Sequence, residues 1–259
     1  MRRRISARDT TLMSLTVSSG VVDAISFIAF GKVFTAFMTG NLVFLGLGMA
    51  NAFKPGGPNL ARVGIVLVAF AVGVFIAARI IRRAKQTRGD AAGVTIALTA
   101  VLVVELVFLG GWMAASGDPS ATYATCLAAV EAIAMGMQSS AVGSLDVKGI
   151  FTTAATATLI NLSREAADRR VSTTDPGQLA RVLICLVAGA TIGGLLLVNA
   201  RLYAPLVPPL ATALAIAASL AEARAGRRGA TAGAVETLKG DHGRALAPAD
   251  PAVVQREAA

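Results

Sequence analysis

The chain has 259 residues, of which 55% are hydrophobic and only 15% are charged, and its net charge is +9. Soluble domains carry roughly 25% charged residues, so this composition and a mean hydropathy of +0.67 exclude an ordinary soluble domain and predict an all-α polytopic membrane protein. The positive charge does not indicate nucleic-acid binding, because Lys and Arg cluster between apolar segments and form no basic stripe interleaved with aromatic residues.

Apolar segments follow one another along the whole chain up to residue 220, and several reach the roughly 20 residues that cross a bilayer. They are residues 11–30, 34–50, 63–81, 92–115, 121–142, 150–162, 179–198 and 204–220. The first one follows a basic N-terminal segment, residues 1–10, which we expect in the cytoplasm. Because this first segment is long and contains an acidic residue, we interpret it as an uncleaved span and not as a signal peptide.

Asp23 lies in the middle of the first apolar segment, close to Ser19, Gly20 and Ser26. An ionisable side chain at membrane depth is costly unless it faces a partner or a wet cavity. Two interpretations are open at this point. The carboxyl group either caps or pins a neighbouring helix, or it binds a coupling proton, a cation or a polar group of a substrate.

The second apolar segment contains the polar step Thr39-Gly40-Asn41. Glycine can break a helix and free backbone groups, and the Thr39 and Asn41 side chains can satisfy those groups or contact a ligand. Irregular backbone is tolerated at membrane depth only where protein buries it or where it lines a cavity. The step therefore predicts an interrupted segment near a binding site, with ordinary helix packing as the alternative.

Two glutamates, Glu105 and Glu131, lie in consecutive apolar segments. Glu131, Met135 and Gln138 share one helical face by their i, i+4, i+7 spacing, so they can line a polar path or bond to another span. Either glutamate can also share a proton with Asp23. The predicted substrate or ion pathway comprises Asp23, Thr39, Gly40, Asn41, Glu131 and Gln138.

An internal repeat appears when the chain is shifted by 117 positions, which aligns residues 33–46 with residues 150–163. The identical pairs are Phe34/Phe151, Thr35/Thr152, Thr39/Thr156, Leu42/Leu159 and Leu45/Leu162. At a shift of 116, Gly20 aligns with Gly136 and Gly73 with Gly189. We infer two membrane repeats, residues 11–115 and 116–221, followed by a disordered cytoplasmic tail, residues 222–259. Chance similarity between apolar segments is the alternative.

Positive charge predicts the topology. Lys and Arg concentrate in residues 79–88 and 164–181, and such clusters normally face the cytoplasm. Eight full crossings would place residues 79–88 outside. We therefore predict six full transmembrane helices plus two re-entrant or broken segments, residues 34–50 and 150–162. The two halves are then inverted repeats and both termini are cytoplasmic, whereas eight full spans with parallel repeats are the alternative.

Several kinds of chemistry are excluded by the residues that the sequence lacks at membrane depth. The one histidine, His242, lies in the tail, so the membrane segments contain no Ser–His pair and no histidine-bearing zinc motif. There is no Walker A loop, and two separated cysteines make neither a disulfide framework nor a metal site. We expect no enzyme, no cofactor and no metal.

The N-terminal motifs GVVDAISF, residues 20–27, and FTAFMTGNLVFLGLG, residues 34–48, resemble those of the YoaK-type family of bacterial integral membrane proteins, a domain of unknown function. The resemblance covers about residues 10–221 and implies a bacterial inner membrane and about six spans, with no established substrate. In the second half the family typically shows G-x-Q-N-A and T-T-x-x-T-G-T. Residues 136–140 and 152–158 of this chain lack the Asn and the Gly of those patterns.

The functional prediction is a small secondary transporter or permease for a polar metabolite or an ion, because polar, interrupted segments at matching places in two repeats are typical of transporter sites. Its environment is the lipid bilayer of the bacterial cytoplasmic membrane. The alternative is a non-transporting membrane scaffold or sensor, whose polar residues only pack helices. The number of copies in an assembly, including a homo-oligomer, is left open.

Overall fold

The computed structural model describes residues 6–50, 57–88, 90–145, 155–167, 176–222 and 224, and this part of the chain is helical without strands. In chain order the helices are α1 (Ala7–Ala29), α2 (Met38–Met49), α3 (Leu60–Arg88), α4 (Asp90–Ala114), α5 (Ala121–Gly143), α6 (Ala155–Ala167), α7 (Pro176–Asn199) and α8 (Arg201–Glu222). The first two turns of α8, Arg201–Leu206, form a 3₁₀ helix. The predicted tail lies almost wholly outside the described residues.

Six of the helices are long and apolar enough to cross a membrane, namely α1, α3, α4, α5, α7 and α8. In contrast, α2 has 12 residues and α6 has 13, which at 1.5 Å per residue gives about 18–20 Å, well short of the hydrocarbon thickness of roughly 30 Å. The helix α2 lies within the predicted segment 34–50, and α6 overlaps the predicted segment 150–162, of which residues 150–154 lie outside the described residues. The chain is a multi-pass membrane protein with six spans and two shorter segments, as predicted.

Contacts at one end of the bundle bring together the last residues of some spans and the first residues of others. Arg62, near the start of α3, donates to the carbonyl of Phe30 at the end of α1 and to that of Ala121 at the start of α5. Trp112, near the end of α4, donates from Nε1 to the carbonyl of Arg201 at the start of α8 over 3.1 Å. We call this the Trp112 end.

The opposite ends of the same helices meet in a second cluster, which we call the Asp9 end. Gln178 at the start of α7 donates to the carboxylate of Asp9 in α1 over 2.6 Å. The buried apolar residues of this cluster come from six helices and are Leu12, Leu15, Ile81, Val94, Ala97, Leu98, Ala141, Val142, Leu179, Val182 and Ala215. Consecutive spans therefore run in opposite directions. As a result, α2 joins two spans at the Trp112 end, whereas α6 joins two spans at the Asp9 end.

The most buried spans are α1 and α5, where 61% of the apolar part is buried against 22–39% in the other four. Each packs closely on one partner, α1 on α7 and α5 on α3, through glycines that leave no room for a side chain. A Cβ on Gly20 of α1 would lie 2.7 Å from the backbone nitrogen of Ala190, and a Cβ on Gly136 of α5 would lie 3.0 Å from that of Val74.

Two further interface glycines repeat this pattern. A Cβ on Gly73 would collide with the backbone of Ile133, and a Cβ on Gly189 would collide with the backbone of Val17. The Gly73–Ile133 contact corresponds to the Gly189–Val17 contact, because Gly189 lies 116 residues after Gly73 and Val17 lies 116 residues before Ile133. The contacts of Gly20 and Gly136 correspond to each other at the same offset of 116 residues. The glycine pairs aligned in the sequence thus occupy equivalent places in the two helix pairs.

Candidate functional site

The Asp23 carboxylate reaches from α1 to the chain just before α2. Its Oδ1 accepts the backbone N–H groups of Ala36 over 2.8 Å and of Phe37 over 3.3 Å. The N–H groups at a helix start lack partners within the helix and carry a partial positive charge, so a carboxylate there is favourable. Asp23 therefore holds the start of α2, as in the first of the two interpretations of this residue.

Asn41 fixes the same irregular segment, residues 31–37, from the other side. Its Oδ1 accepts the N–H of Phe34 over 3.0 Å, and its Nδ2 donates to the carbonyl of Phe34 over 2.6 Å. The side chain is fully buried. At the beginning of the segment Gly31 and Lys32 have φ values of 76° and 63°, which end α1 and turn the chain. Asp23 and Asn41 are thus brought together around one segment.

The predicted interruption at Thr39–Asn41 is wrong in its position. Thr39 and Gly40 lie inside α2, and the chain is irregular over residues 31–37 instead. Gly40 allows a close approach, since a Cβ there would lie 2.6 Å from the ring of Phe37 and 3.0 Å from that of Phe34. Thr39 is exposed on the surface of α2 and lies away from the interior.

The role of Asp23 can be tested by hydrogen exchange. We expect Asp23→Leu to speed amide exchange of Ala36 and Phe37 by about tenfold or more, because it removes a charged acceptor from both groups. Asp23→Asn keeps an acceptor oxygen and should have a smaller effect. Asp118→Leu, at a side chain that is 90% exposed, serves as the control. Equal exchange in Asp23→Leu and the wild type would contradict this role.

A second group of polar side chains lies midway along the bundle, where α1, α4, α5 and α8 meet. Glu105 of α4 is fully buried, and its Oε1 accepts Thr212 of α8 over 3.0 Å and, more weakly, Ser18 of α1 over 3.5 Å. Its Oε2 has no hydrogen-bond partner among the described residues. Glu105 is therefore held in place by one oxygen and leaves the other unused.

Glu131 of α5 is only 1% exposed, and neither of its carboxylate oxygens has a hydrogen-bond partner in the described part of the chain. The other ionisable side chains near it in this part of the chain are Glu105 and Asp23, and both are acidic. A buried polar group without a partner costs about 1–3 kcal/mol, more if it is charged. A carboxyl group in this environment therefore destabilises the fold unless another group binds it.

Gln138 lies two turns further along the same face of α5. Its Nε2 donates to the carbonyl of Leu15 over 3.1 Å and to the hydroxyl of Ser19 over 3.0 Å, which ties α5 to α1. Its Oε1 has no partner within the ranges that the structure describes. The rise of about 10 Å from Glu131 is filled on this face by Met135, which is fully buried.

We call the side chains around these groups the central polar cluster, and they are Ser18, Ser19, Glu105, Glu131, Gln138 and Thr212. The predicted pathway residues thus separate into two groups. Asp23 and Asn41 hold the segment before α2, and Glu131 and Gln138 belong to the central polar cluster.

Sequence reasoning gave Glu105 a lower weight and missed Thr212. Glu105 has the same signal as Glu131, a carboxyl group in the middle of an apolar segment. Thr212 is a single hydroxyl in an apolar segment, and nothing in its local sequence distinguishes it. Among the described residues, no group of three or more His, Cys, Asp or Glu side chains is placed to hold a metal ion.

Comparison with known proteins places this arrangement in a family. Residues 11–219 match the family described as "Protein of unknown function (DUF1275)". The chain is also similar to the UPF0700 transmembrane protein YoaK of Bacillus subtilis (strain 168), with 32% identity over 162 residues, which is 62% of this chain and 68% of that protein. No solved structure matches the chain. The resemblance inferred from the N-terminal motifs is confirmed.

Proposed function

Because this chain belongs to the DUF1275 family, whose function is unknown, its activity has to be inferred from its residues, and we propose that it is a small secondary transporter for a polar metabolite or an ion. The observation that carries the proposal is the Glu131 carboxyl group, which is buried at mid-depth with neither oxygen bonded to any described residue. Ionisable side chains inside membrane proteins commonly mark substrate, ion or proton pathways. The proposal involves no chemical reaction and no cofactor.

A transported ligand would supply the missing partners. In a purely structural network every buried polar atom is expected to have one, because a partly satisfied network is less stable than an apolar core. Glu131 and Glu105 instead keep oxygens unbonded to the described residues at the meeting point of four helices. We infer that a proton or a substrate binds to these oxygens during transport.

Two inverted halves, residues 11–115 and 116–221, form part of this proposal. Three observations support them: the glycine contacts exchange at an offset of 116, α1 and α5 run in opposite directions, and α2 and α6 join spans at opposite ends. In inverted-repeat transporters the site lies near the midplane at the interface of the repeats. The central polar cluster has residues of both halves and lies at that depth. Rocking of one half against the other would expose it to each side in turn.

The cytoplasmic orientation of both termini is also proposed, in the bacterial cytoplasmic membrane. The basic residues Arg82, Arg83 and Lys85 follow Ile81, which lies at the Asp9 end. Since positive loops favour the cytoplasm, the Asp9 end should be inside.

Cysteine labelling tests this orientation. In a background with Cys126→Ser and Cys185→Ser, we expect Lys85→Cys to react with a membrane-impermeant maleimide only after the cell membrane is opened, and Asp118→Cys to react in intact cells. Both native side chains are exposed, and Asp118 lies between α4 and α5 at the Trp112 end. Labelling of both positions from the same side would contradict the six-span orientation.

Transport itself is tested by counterflow in proteoliposomes with a panel of labelled metabolites and monovalent ions. We expect the wild type to exchange at least one of them, and Glu131→Gln to reduce that exchange by about tenfold or more. Asp118→Asn makes the same change from carboxyl to amide at an exposed position and should leave the exchange unchanged. An absence of exchange for every solute, or equal exchange in Glu131→Gln, would overturn the proposal.

A non-transporting scaffold or sensor is the second candidate. It is favoured by Asp23 and Asn41, whose side chains bond to the backbone of the segment before α2 and so act in the fold itself. On this view the central polar cluster would likewise only join helices, and removal of any of its members would weaken the protein.

A further inference from the structure

We propose that the central polar cluster binds a small organic cation, a protonated amine, and exchanges it for a proton. This inference rests on the proposed transport function and names the class of its substrate. It is drawn from the kind of free atoms in the cluster, the charges around them and the apolar side chain between them.

The buried atoms of the cluster that lack a partner among the described residues are all oxygens. Within the described part of the chain, the unpartnered buried atoms of the cluster are Oε2 of Glu105, both oxygens of Glu131 and Oε1 of Gln138. Once Glu131 has given up its proton, its carboxylate oxygens, like the Gln138 amide oxygen, are acceptors only. The Gln138 amide nitrogen is already used by Leu15 and Ser19. A ligand that satisfies these oxygens must therefore bring N–H or O–H donors or a positive charge, and an acceptor-only anion would leave them unsatisfied.

The side chains around Glu131 favour a positively charged ligand. In the described part of the chain the other ionisable side chains near Glu131 are the acids Glu105 from α4 and Asp23 from α1, and α8 contributes the neutral Thr212, which donates to Glu105. The buried cation of α3, Arg62, is bonded elsewhere, to Thr125 and to carbonyls at the Trp112 end. Charging a buried carboxylate among other acids is costly unless a cation accompanies it. The ligand should therefore be positive.

The spacing of the acceptor oxygens along α5 favours a ligand with an apolar part. Met135 is fully buried between Glu131 and Gln138, so the free acceptors are separated by an apolar side chain over about 10 Å of helix. An alkylammonium ion can direct its N–H donors to Glu131 while its carbon chain packs on Met135. A second donor at the far end, as in a diamine, would reach Gln138. The residues are at most 1% exposed, so a ligand enters only when the helices move apart, as the rocking motion of the proposed transport requires.

The exchange balances in charge. Before binding, the Glu131 carboxyl group holds a proton. When the ammonium group enters, that proton leaves to water and the carboxylate pairs with the ammonium ion, so the net charge of the buried cluster stays the same. When the amine leaves, a proton returns. The same side chain thus carries either a proton or the amine, which is the requirement for coupled exchange.

The experiment measures proton release from the purified full-length protein in lipid nanodiscs, with a pH-indicator dye and weak buffer. Butylammonium and 1,4-diaminobutane are the probes. Butylammonium should release about one proton per molecule bound and the doubly charged diamine about two, since each positive charge that enters replaces a proton. Tetramethylammonium has the same charge but no N–H donor, so we expect it to bind at least about tenfold more weakly. Sodium and potassium chloride test for inorganic cations.

Variants test whether the released proton comes from Glu131. Glu131→Gln should abolish proton release, Glu131→Asp should retain it with weaker binding, and Asp118→Asn should match the wild type. Thermal unfolding of each variant checks that it is folded. If Glu131→Gln does not fold, Glu131→Asp still decides through its shifted affinity. Proton release that is equal with tetramethylammonium or sodium, or an affinity unchanged in both Glu131 variants, would overturn the inference.

The two proposals fail in different ways. Amine binding with proton release but no counterflow of the amine would leave this inference standing and remove the transport function. Counterflow of a neutral or anionic solute, without amine binding, would keep transport and overturn the amine as its substrate.

Discussion

Replacing Glu131 with methionine is expected to stop exchange in proteoliposomes and, at the same time, to make the protein more stable. The wild-type carboxyl group is buried without a hydrogen-bond partner among the described residues, and an apolar side chain of similar size removes that cost. The expected gain in the free energy of unfolding is about 1–3 kcal/mol. Thermal unfolding in detergent and counterflow measure the two effects on the same preparation.

Gln138→Met is the matched control for this prediction, because Gln138 lies on the same face of α5 and its amide is bonded to α1. Its replacement should lower the stability, since the Leu15 carbonyl and the Ser19 hydroxyl lose a donor. Opposite signs for the two variants are the expected result. A loss of stability in Glu131→Met as well would indicate that the carboxyl group only packs helices, and would favour the scaffold.

The second large effect is expected at the interface glycines. Gly73→Ala should lower the free energy of unfolding by about 1–3 kcal/mol or more, because the new methyl group collides with the backbone of Ile133 and the two helices must move apart. Gly189→Ala places its methyl group against the backbone of Val17 and should cost a similar amount. The measurement is unfolding of each variant in the same detergent.

Glycines on the same two helices provide the controls. An added Cβ at Gly64 of α3 or at Gly194 of α7 meets no atom of the described chain within 4 Å. Gly64→Ala and Gly194→Ala should therefore be neutral or slightly stabilising, since alanine favours a helix. If Gly73→Ala were tolerated as well as Gly64→Ala, the close contact of α3 with α5 would be wrong. Unequal costs for Gly73→Ala and Gly189→Ala would weaken the case for two equivalent halves.

The short segments show how far sequence reasoning can reach. Residues 34–50 are as apolar as a full span, and hydrophobicity alone predicts a crossing. The basic cluster at residues 79–88 argued against it, because a crossing there would place positive charge outside. The structure has the 12-residue α2 in this segment, too short to span. The prediction succeeded because charge and hydropathy are sums over local residues.

Gly40 shows the opposite case. A glycine next to Thr39 and Asn41 predicted a broken helix at that point, but the helix continues through it and the rings of Phe34 and Phe37 pack against the missing side chain. The break lies at residues 31–37, where Asp23 and Asn41 supply the hydrogen bonds that a helix would have made. Which residue leaves the helix depends on partners that are distant along the chain.

The sequence by itself determined the membrane class, the number of spans and the pairs of glycines that occupy equivalent places. These depend on composition, segment length and internal repetition, all of which can be counted along the chain. Only the tertiary structure decided that Asp23 holds α2 and that Glu105 bonds to Thr212 at mid-depth. The physical reason is the separation of the partners along the chain, since Glu105 bonds to Thr212, 107 residues away. The periodicity of hydropathy is a local property, and it does not indicate which faces of distant helices come together.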